Sequence, residues 1–253
     1  MKLCVLMPVY NEAAFVGAAI ASILSARSTL EISVVIVDDG SSDNTAEVIE
    51  AVAATTPDIR LIRTENRGVS HARNTLLAAI PDTCDLVTFL DGDDAFEAGY
   101  LEKHCQILAD TPSLDLTYSQ LCLIESDQQD MALAPRENAL ICRTISMSIG
   151  IYRPSLLKKT GEFDLAFPQA EDTDYLLRLF ELGPNAYLSD DIAVLYRQHG
   201  GNITKDKLTV QRGFARAVLG HIRRRKANPD LASVEGIFSI TQLGADLESR
   251  RQS

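Results

Sequence analysis

The sequence predicts an α/β protein with a mixed, mainly parallel sheet flanked by helices, followed by a helical C-terminal extension. Its 253 residues are 46% hydrophobic and 23% charged, as in ordinary globular domains. The first hundred residues alternate short apolar runs with helix-like segments, which is typical of parallel strands joined by crossover helices. Basic, mostly helical sequence closes the chain. We therefore expect one domain over residues 1–203 and a basic helical extension over 204–253, packed on or beside it.

Four β-rich runs of strand length open the chain, at residues 2–7, 32–37, 59–62 and 86–90. The segments between them predict helices over residues 12–26, 44–54 and 71–80. Two of these segments follow residues that commonly cap helices, namely the cluster at 41–43 and Ser70.

The pattern changes after Asp94. Helices are predicted over residues 100–109 and 172–182, apolar runs over 114–124 and 186–196, and polar loops over 127–138. Beyond His199, apolar residues recur near helical spacing until Asn228 and Pro229 supply a stop.

The charge pattern excludes some classes of function. A net charge of −11 argues against a nucleic-acid partner. Residues 201–253 carry ten basic and five acidic residues, net +5, which leaves −16 for residues 1–200. We see no run of 18 apolar residues and no signal-peptide pattern, so we expect a cytoplasmic protein. The five scattered cysteines are expected to be buried free thiols; they are Cys4, Cys84, Cys105, Cys122 and Cys142.

Polar residues follow each of the four predicted strands. Parallel strands place their carboxyl ends at one edge of the sheet, where ligands bind, so these residues should meet on one rim. Carboxylates this dense repel each other, and a divalent cation such as Mg²⁺ or Mn²⁺ would offset the repulsion and bring a diphosphate ligand with it. For any single pair, the alternative is a simple turn. The rim residues include Asp38, Asp39, Arg67, Arg73, Asp91, Asp93 and Asp94.

Seven motifs, taken in order, resemble those of the family 2 glycosyltransferases of GT-A fold. They are VLMPVYNE from residue 5, VDDGSSD from 37, NRG from 66 with ARN from 72, FLDGDD from 89, GEFD from 161, AEDTD from 170 and YRQH from 196. The resemblance covers about residues 1–200.

The resemblance implies inverting transfer of a single sugar from a nucleoside-diphosphate sugar, with UDP favoured, to a hydroxyl of a saccharide or lipid-linked acceptor in cell-surface polysaccharide biosynthesis. It also implies that the Tyr10 ring packs on the nucleobase, that Asp39 accepts a hydrogen bond from the base edge, and that Arg73 and Arg67 lie near the base or diphosphate. Three alternatives stay open: Tyr10 could belong to the core, Arg67 could be a solvated loop charge, and Arg73 could form a salt bridge with Asp43 or another acidic neighbour. The full donor-binding set is Pro8, Tyr10, Asn11, Glu12, Asp39, Arg67, Arg73, Asp91 and Gly92.

The same resemblance implies a site for Mg²⁺ or Mn²⁺ at the DxD motif. Asp93 would contact the metal that bridges the two phosphates, and Asp91 would hold the ribose or a metal-bound water. Asp94 is a second metal candidate. His199 could reach the metal or the diphosphate, or could be a surface loop residue.

Catalysis by inversion requires a base that takes the acceptor proton. By position in the family motif, Asp172 is that base and Glu171 is the alternate. A carboxylate at the start of a helix can also be an N-cap, and this alternative stays open.

Two departures from the family's patterns concern processivity, where transfer of one sugar per binding event is favoured, and the acceptor side of the pocket, which the sequence leaves open. The chain has no tryptophan, so it lacks the QxxRW signature of processive membrane synthases, and Thr173 stands where many relatives have Trp. The basic cluster at 223–226, Arg223 to Lys226, could contact an anionic membrane at its inner face, or could pair with the acidic body.

Two other functions remain as alternatives. A catalytically inactive sugar-nucleotide-binding module would lose the DxD or base carboxylates, but all are present. A sugar nucleotidyltransferase would show a Gly-rich basic loop after the first strand, where this chain has Pro8 to Glu12.

Overall fold

A computed structural model describes residues 1–125, 131, 134, 136, 139–198, 207–234 and 237. Its strands are β1 (Lys2–Val9), β2 (Glu31–Asp38), β3 (Ile59–Arg63), β4 (Leu86–Phe89), β5 (Ala95–Phe96), β6 (Leu116–Glu125), β7 (Leu140–Cys142), β8 (Gly150–Tyr152) and β9 (Ala186–Gln198). Its α-helices are α1 (Val16–Leu24), α2 (Thr45–Ala53), α3 (Val69–Ala78), α4 (Tyr100–Asp110), α5 (Pro154–Thr160), α6 (Glu171–Glu181) and α7 (Lys207–Ala227).

The strands form one mixed sheet in the order β3-β2-β1-β4-β8-β6-β9-β5, with β7 paired to β6. The first four strands along this order are parallel, as is the long β6–β9 pair. The remaining pairs are antiparallel and short. Residues 3–9 of β1 are all buried, as expected for a central strand covered by helices on both faces. The mixed, mostly parallel sheet predicted from the sequence is confirmed.

The register brings the predicted rim together. Val9 of β1 lies beside Asp38 of β2, and Leu6 of β1 lies beside Phe89 of β4. The loops that follow β1, β2 and β4 therefore leave the sheet at the same edge. The Asp-rich turn and both polar loops share this edge.

Two local predictions were wrong. The helix expected from residue 12 begins at Val16, because Asn11 takes a left-handed conformation at φ 55° and residues 12–15 form a turn. Ser70 does not cap α3. Gly68 occupies the cap position, and the Ser70 hydroxyl instead donates to the carbonyl of Phe167 at 2.8 Å.

The C-terminal helix α7 packs along α6. The described part of the chain has no helix with both the length and the apolar composition needed to cross a bilayer. All five cysteines are free thiols, and Cys142 is the least buried of them.

Candidate active site

Side chains at the ends of β1 and β2 join the two loops to each other. The amide oxygen of Asn11 accepts from the Ser42 N–H at 2.8 Å, and the Asn11 N–H donates to the Ser41 hydroxyl at 2.9 Å. The buried Asp38 carboxylate accepts from the Ser41 N–H at 2.9 Å. Asn11 thus connects the loop after β1 to the loop after β2, and Asp38 stabilises the loop after β2.

Asp39 connects the end of β2 to the start of α3. Its carboxylate accepts from the backbone N–H groups of Arg67, at 3.0 Å, and Gly68, at 2.8 Å. The Tyr10 ring is 41% exposed, which leaves a face on which a base could stack, whereas Pro8 is buried within β1. The Arg67 side chain is exposed beside a cavity of about 210 Å³ between the start of α3 and the segment 165–168.

The turn after β4 concentrates negative charge around Glu12. A methyl group on Gly92 would overlap the Glu12 carboxylate, so glycine is required for this close approach. One Glu12 carboxylate oxygen is buried without a hydrogen-bond partner. Burial, together with the carboxylates of Asp93, Asp91 and Asp94, raises the pKa of Glu12 well above its ordinary value. A cation would relieve this repulsion.

Asp94 faces into the protein rather than toward the rim. Its side chain is buried and accepts from the Arg197 N–H at 2.8 Å. Burial and the carboxylates of Asp93 and Asp91 raise the pKa of Asp94 well above its usual range. The Arg197 side chain, 1% exposed, donates to the carbonyl of Asp93 at 2.7 Å and stacks over Phe15 at 4.3 Å.

Arg197 therefore fixes the Asp-rich turn from the interior of the protein, through hydrogen bonds to Asp93 and Asp94. This role of Arg197 is not evident from the sequence. Arg197 falls inside the YRQH motif, but only its contacts across more than a hundred residues reveal what it does.

Arg73 joins the donor side of the rim to the start of α6. Its buried guanidinium donates to Asp91 Oδ1 at 3.1 Å and forms an ion pair with Glu171. It also lies over the Phe163 ring, 5.7 Å from the ring centre. The sequence left a salt bridge to Asp43 or another acidic neighbour open for this arginine, and the structure shows ion pairs with two such residues, Asp91 of the DxD motif and Glu171 at the start of α6. Its expected position near the nucleobase or diphosphate stays a prediction.

The two base candidates lie at the start of α6. Burial raises the pKa of Glu171 to about 7, against the opposing charge of Arg73. Burial likewise raises the pKa of Asp172, while Arg73 opposes the shift. Asp172 does not cap the helix: the cap position is Ala170, and Asp172 Oδ1 accepts from the adjacent Thr173 N–H at 2.6 Å. The N-cap alternative is therefore wrong.

The carboxylate oxygens on the rim are suitable ligands for a hard divalent cation. Asp91 and Asp93 are both partly exposed, whereas Asp94 is buried. Among the described residues, no three His, Cys, Asp or Glu side chains form a ready-made metal cluster. Mg²⁺ and Mn²⁺ commonly take only one or two protein carboxylates and complete their shells with water and substrate phosphates, so two aspartates suffice. His199 lies outside the described residues.

Comparison with known protein families shows which family this chain belongs to. The model of "Glycosyl transferase family 2" matches residues 4–141, which include the rim loops and the DxD motif. The chain belongs to glycosyl transferase family 2. The sequence-based assignment is confirmed.

Relatives of known structure share the GT-A architecture. A mannosyltransferase, PcManGT from Pyrobaculum calidifontis in complex with GDP-Man and Mn²⁺, matches 87% of this chain and 64% of its own at TM-score 0.67 and 23% identity. S. aureus TarS 1–349 in complex with UDP-GlcNAc matches 87% of this chain and 67% of its own at TM-score 0.66 and 22% identity.

One curated relative, the chondroitin synthase of Escherichia coli, is 26% identical over 217 residues, 81% of this chain and 30% of that protein. The chain spans between 26% and 62% of the length of the first curated relatives that it matches.

Proposed function

We propose that this chain transfers a single sugar from a nucleoside-diphosphate sugar to an acceptor hydroxyl with inversion at the anomeric carbon. The observation that carries the proposal is the Arg73 bridge, because one buried guanidinium contacts both Asp91 of the DxD motif and Glu171 beside the base. Departure of the diphosphate and removal of the acceptor proton would thus occur at neighbouring groups on one rim.

In the proposed reaction, Asp172 takes the proton of the acceptor hydroxyl as its oxygen attacks the anomeric carbon from the side opposite the diphosphate. Asp93, with Asp91 beside it, would hold a divalent cation whose charge offsets the negative charge that develops on the departing diphosphate. Tyr10 would stack on the nucleobase. Arg73 would fix the position of the DxD turn relative to the start of α6.

The donor is proposed to be a UDP-sugar, with a GDP-sugar as the main competitor. TarS is described with UDP-GlcNAc and PcManGT with GDP-Man and Mn²⁺, so both nucleotides occur on this architecture. A saccharide or lipid-linked acceptor in cell-surface polysaccharide synthesis is consistent with the chondroitin synthase relative.

The direct test is release of nucleoside diphosphate from a panel of UDP-, GDP- and dTDP-sugars, with Mn²⁺, Mg²⁺ or chelator. Metal-dependent release from one nucleotide class, increased by a saccharide acceptor, supports the proposal. Binding of the same nucleotides without any release would support the inactive binding module instead. Formation of a nucleotide sugar from a nucleoside triphosphate and a sugar phosphate would support the nucleotidyltransferase.

The raised pKa of Asp172 predicts a particular pH dependence. A base acts in its deprotonated form, so kcat/KM should fall as pH drops through the raised pKa, at a higher pH than for an ordinary aspartate. Because the charge of Arg73 lowers this pKa, Arg73→Gln should move the acid limb of the profile to higher pH. Arg73→Lys, which keeps the charge, should leave the acid limb close to its wild-type position.

The measurement is the pH profile of kcat/KM for wild type and the two Arg73 variants. Arg60→Gln removes a charge from an exposed position on β3 and serves as the control. An acid limb that stays in place in Arg73→Gln would contradict the assignment of Asp172, with its neighbour Arg73, as the titrating base.

Peripheral contact with an anionic membrane through α7 is the remaining part of the proposal, and the structure divides the basic cluster in two. Arg224 pairs with Asp174 at 3.0 Å and Glu181 at 2.8 Å. Arg223 and Lys226 are exposed beside Leu219 and Ile222, which are 52% and 53% exposed. This combination of exposed cations and apolar side chains suits an anionic bilayer surface.

Removing the two exposed cations should weaken vesicle binding. Each basic residue near an anionic surface contributes about 1 kcal/mol, so Arg223→Ala with Lys226→Ala should lower the partition coefficient for phosphatidylglycerol vesicles about thirty-fold. The control is Lys158→Ala with Lys159→Ala, an equal charge change at exposed positions on α5. Wild-type protein that stays in the supernatant during vesicle sedimentation would disprove the contact.

A further inference from the structure

The residue before the two base candidates is in an uncommon backbone conformation. Ala170 has φ 61° and ψ 28°, in the left-handed region that residues with a side chain rarely adopt. Glu171 and Asp172 follow at once, so the angle at Ala170 sets the direction in which they leave the segment 166–170. Something outside this segment must hold that conformation.

Helix α7 approaches this turn at Gly213. A methyl group on Gly213 would lie 2.5 Å from the carbonyl oxygen of Gln169 and 3.2 Å from the Ala170 side chain. Glycine in the interior of a helix costs about 1 kcal/mol relative to alanine. The close approach to the backbone of Gln169 accounts for its presence.

Arg216, one turn further along α7, holds the other end of the same segment. Its guanidinium donates to the carbonyl of Ala166 at 2.7 Å and lies over the Phe167 ring, 4.7 Å from the ring centre. Gly213 and Arg216 therefore contact residues at both ends of the 166–170 turn.

The far end of α7 is fixed to the body of α6. Arg224 donates to Asp174 at 3.0 Å and to Glu181 at 2.8 Å, and His221 lies 2.6 Å from Glu181. Both carboxylates are almost fully buried, so they need a cationic partner, and the Arg224 guanidinium pairs with each of them. The two helices are thus joined along most of the length of α6.

We propose that α7 is a positioning element of the active site, in which Gly213 and Arg216 hold the 166–170 turn so that Asp172 points at the acceptor hydroxyl. The inference rests on the proposed function, because it assigns the base to Asp172. It explains why α7 packs against α6: Arg224 pairs with two carboxylates of α6, and Gly213 and Arg216 contact the segment before the base.

This role predicts a loss in turnover rather than in donor binding. Apart from Arg67 and Arg73, the proposed donor-binding residues lie at the ends of β1, β2 and β4, whereas the contacts of α7 described above are made to residues 166–170 and to α6. Displacing a catalytic group by about 1 Å can cost on the order of a hundred-fold in rate. We expect Gly213→Ala and Arg216→Ala to lower kcat by about ten-fold to a hundred-fold, with KM for the donor changed by less than about two-fold.

The controls are on the same helix. Gly220→Ala introduces the same methyl group where the nearest atom is the end of the Arg224 side chain, at 3.2 Å. Arg212→Ala removes an exposed cation one turn before Arg216. Both should keep kcat near wild type. Arg216→Lys, which can still donate to Ala166 but cannot stack in the same way, should recover part of the lost rate.

Kinetics should be normalised to the concentration of nucleotide-binding sites, measured by titration with the nucleoside diphosphate and Mn²⁺. This normalisation removes any loss of folded protein, which a purely structural role for α7 would produce. Wild-type kcat per binding site in both Gly213→Ala and Arg216→Ala would overturn the inference. Full transfer activity in Asp172→Asn would instead overturn the proposed base, so the two failures are distinguishable.

Discussion

Asp172→Asn is expected to lower kcat on the order of a thousand-fold while leaving donor binding intact. A general base contributes about 10²-fold to 10⁴-fold, and an amide cannot accept the acceptor proton. Asparagine has nearly the same shape as aspartate, and its carbonyl oxygen can still accept from the Thr173 N–H, so the start of α6 should keep its structure. The measurement is steady-state transfer to acceptor, with calorimetric titration of nucleoside diphosphate for donor affinity.

Glu171→Gln is the matched comparison because Glu171 is adjacent and also has a carboxyl group. Its carboxylate is already paired with Arg73, so it is less available to an acceptor hydroxyl. We expect a smaller loss in kcat, accompanied by weaker donor binding because the Arg73 bridge to Asp91 is disturbed. A thousand-fold loss in Glu171→Gln beside an active Asp172→Asn would make Glu171 the base.

The parts of the fold that depend on local pattern could be predicted from the sequence. Each of the four parallel strands is an apolar run bounded by turn-forming residues, and both signals lie within a few positions of each other. The rim followed from a general rule about the carboxyl ends of parallel strands, with no need for side-chain detail. The local sequence pattern was sufficient to predict elements whose residues are neighbours both in sequence and in structure.

Side-chain partners of the site residues could not be predicted in this way. Arg73 and Glu171 are separated by 98 positions, and Arg197 and Asp94 by 103, so no local period reports either contact. Gly213 illustrates the same limit. As a glycine within a helical pattern it only lowers the predicted helicity, and its close approach to Gln169 becomes visible only when α7 is placed against α6.

The error in the start of α1 has a related cause. Glu12 to Phe15 have helix-compatible composition, but hydrogen bonds from Asn11 to the Ser41–Ser42 segment require a left-handed residue at the end of β1. That geometry delays the helix to Val16. A contact between two loops overrides the local propensity.

Asp93→Asn is expected to abolish most metal-dependent activity, with a loss on the order of a hundred-fold to a thousand-fold. Losing one electrostatic stabiliser of a developing negative charge typically has this effect. The partly exposed position of Asp93 in the turn leaves it accessible to a cation bound with the donor diphosphate. The affinity for Mn²⁺ in the presence of nucleoside diphosphate should fall in parallel, and titration calorimetry measures it.

Asp94→Asn is the neighbouring comparison, with the same replacement of a carboxyl group by an amide. Burial and two adjacent carboxylates raise the pKa of Asp94, which favours its neutral form, and an amide oxygen could still accept from the Arg197 N–H. We therefore expect Asp94→Asn to keep most of its Mn²⁺ affinity and to lose much less activity than Asp93→Asn. Equal loss of Mn²⁺ affinity in both variants would make Asp94 a metal ligand as well. Retained affinity in Asp93→Asn would remove Asp93 from that role, because a carboxylate that binds the cation cannot be replaced by an amide without weakening it.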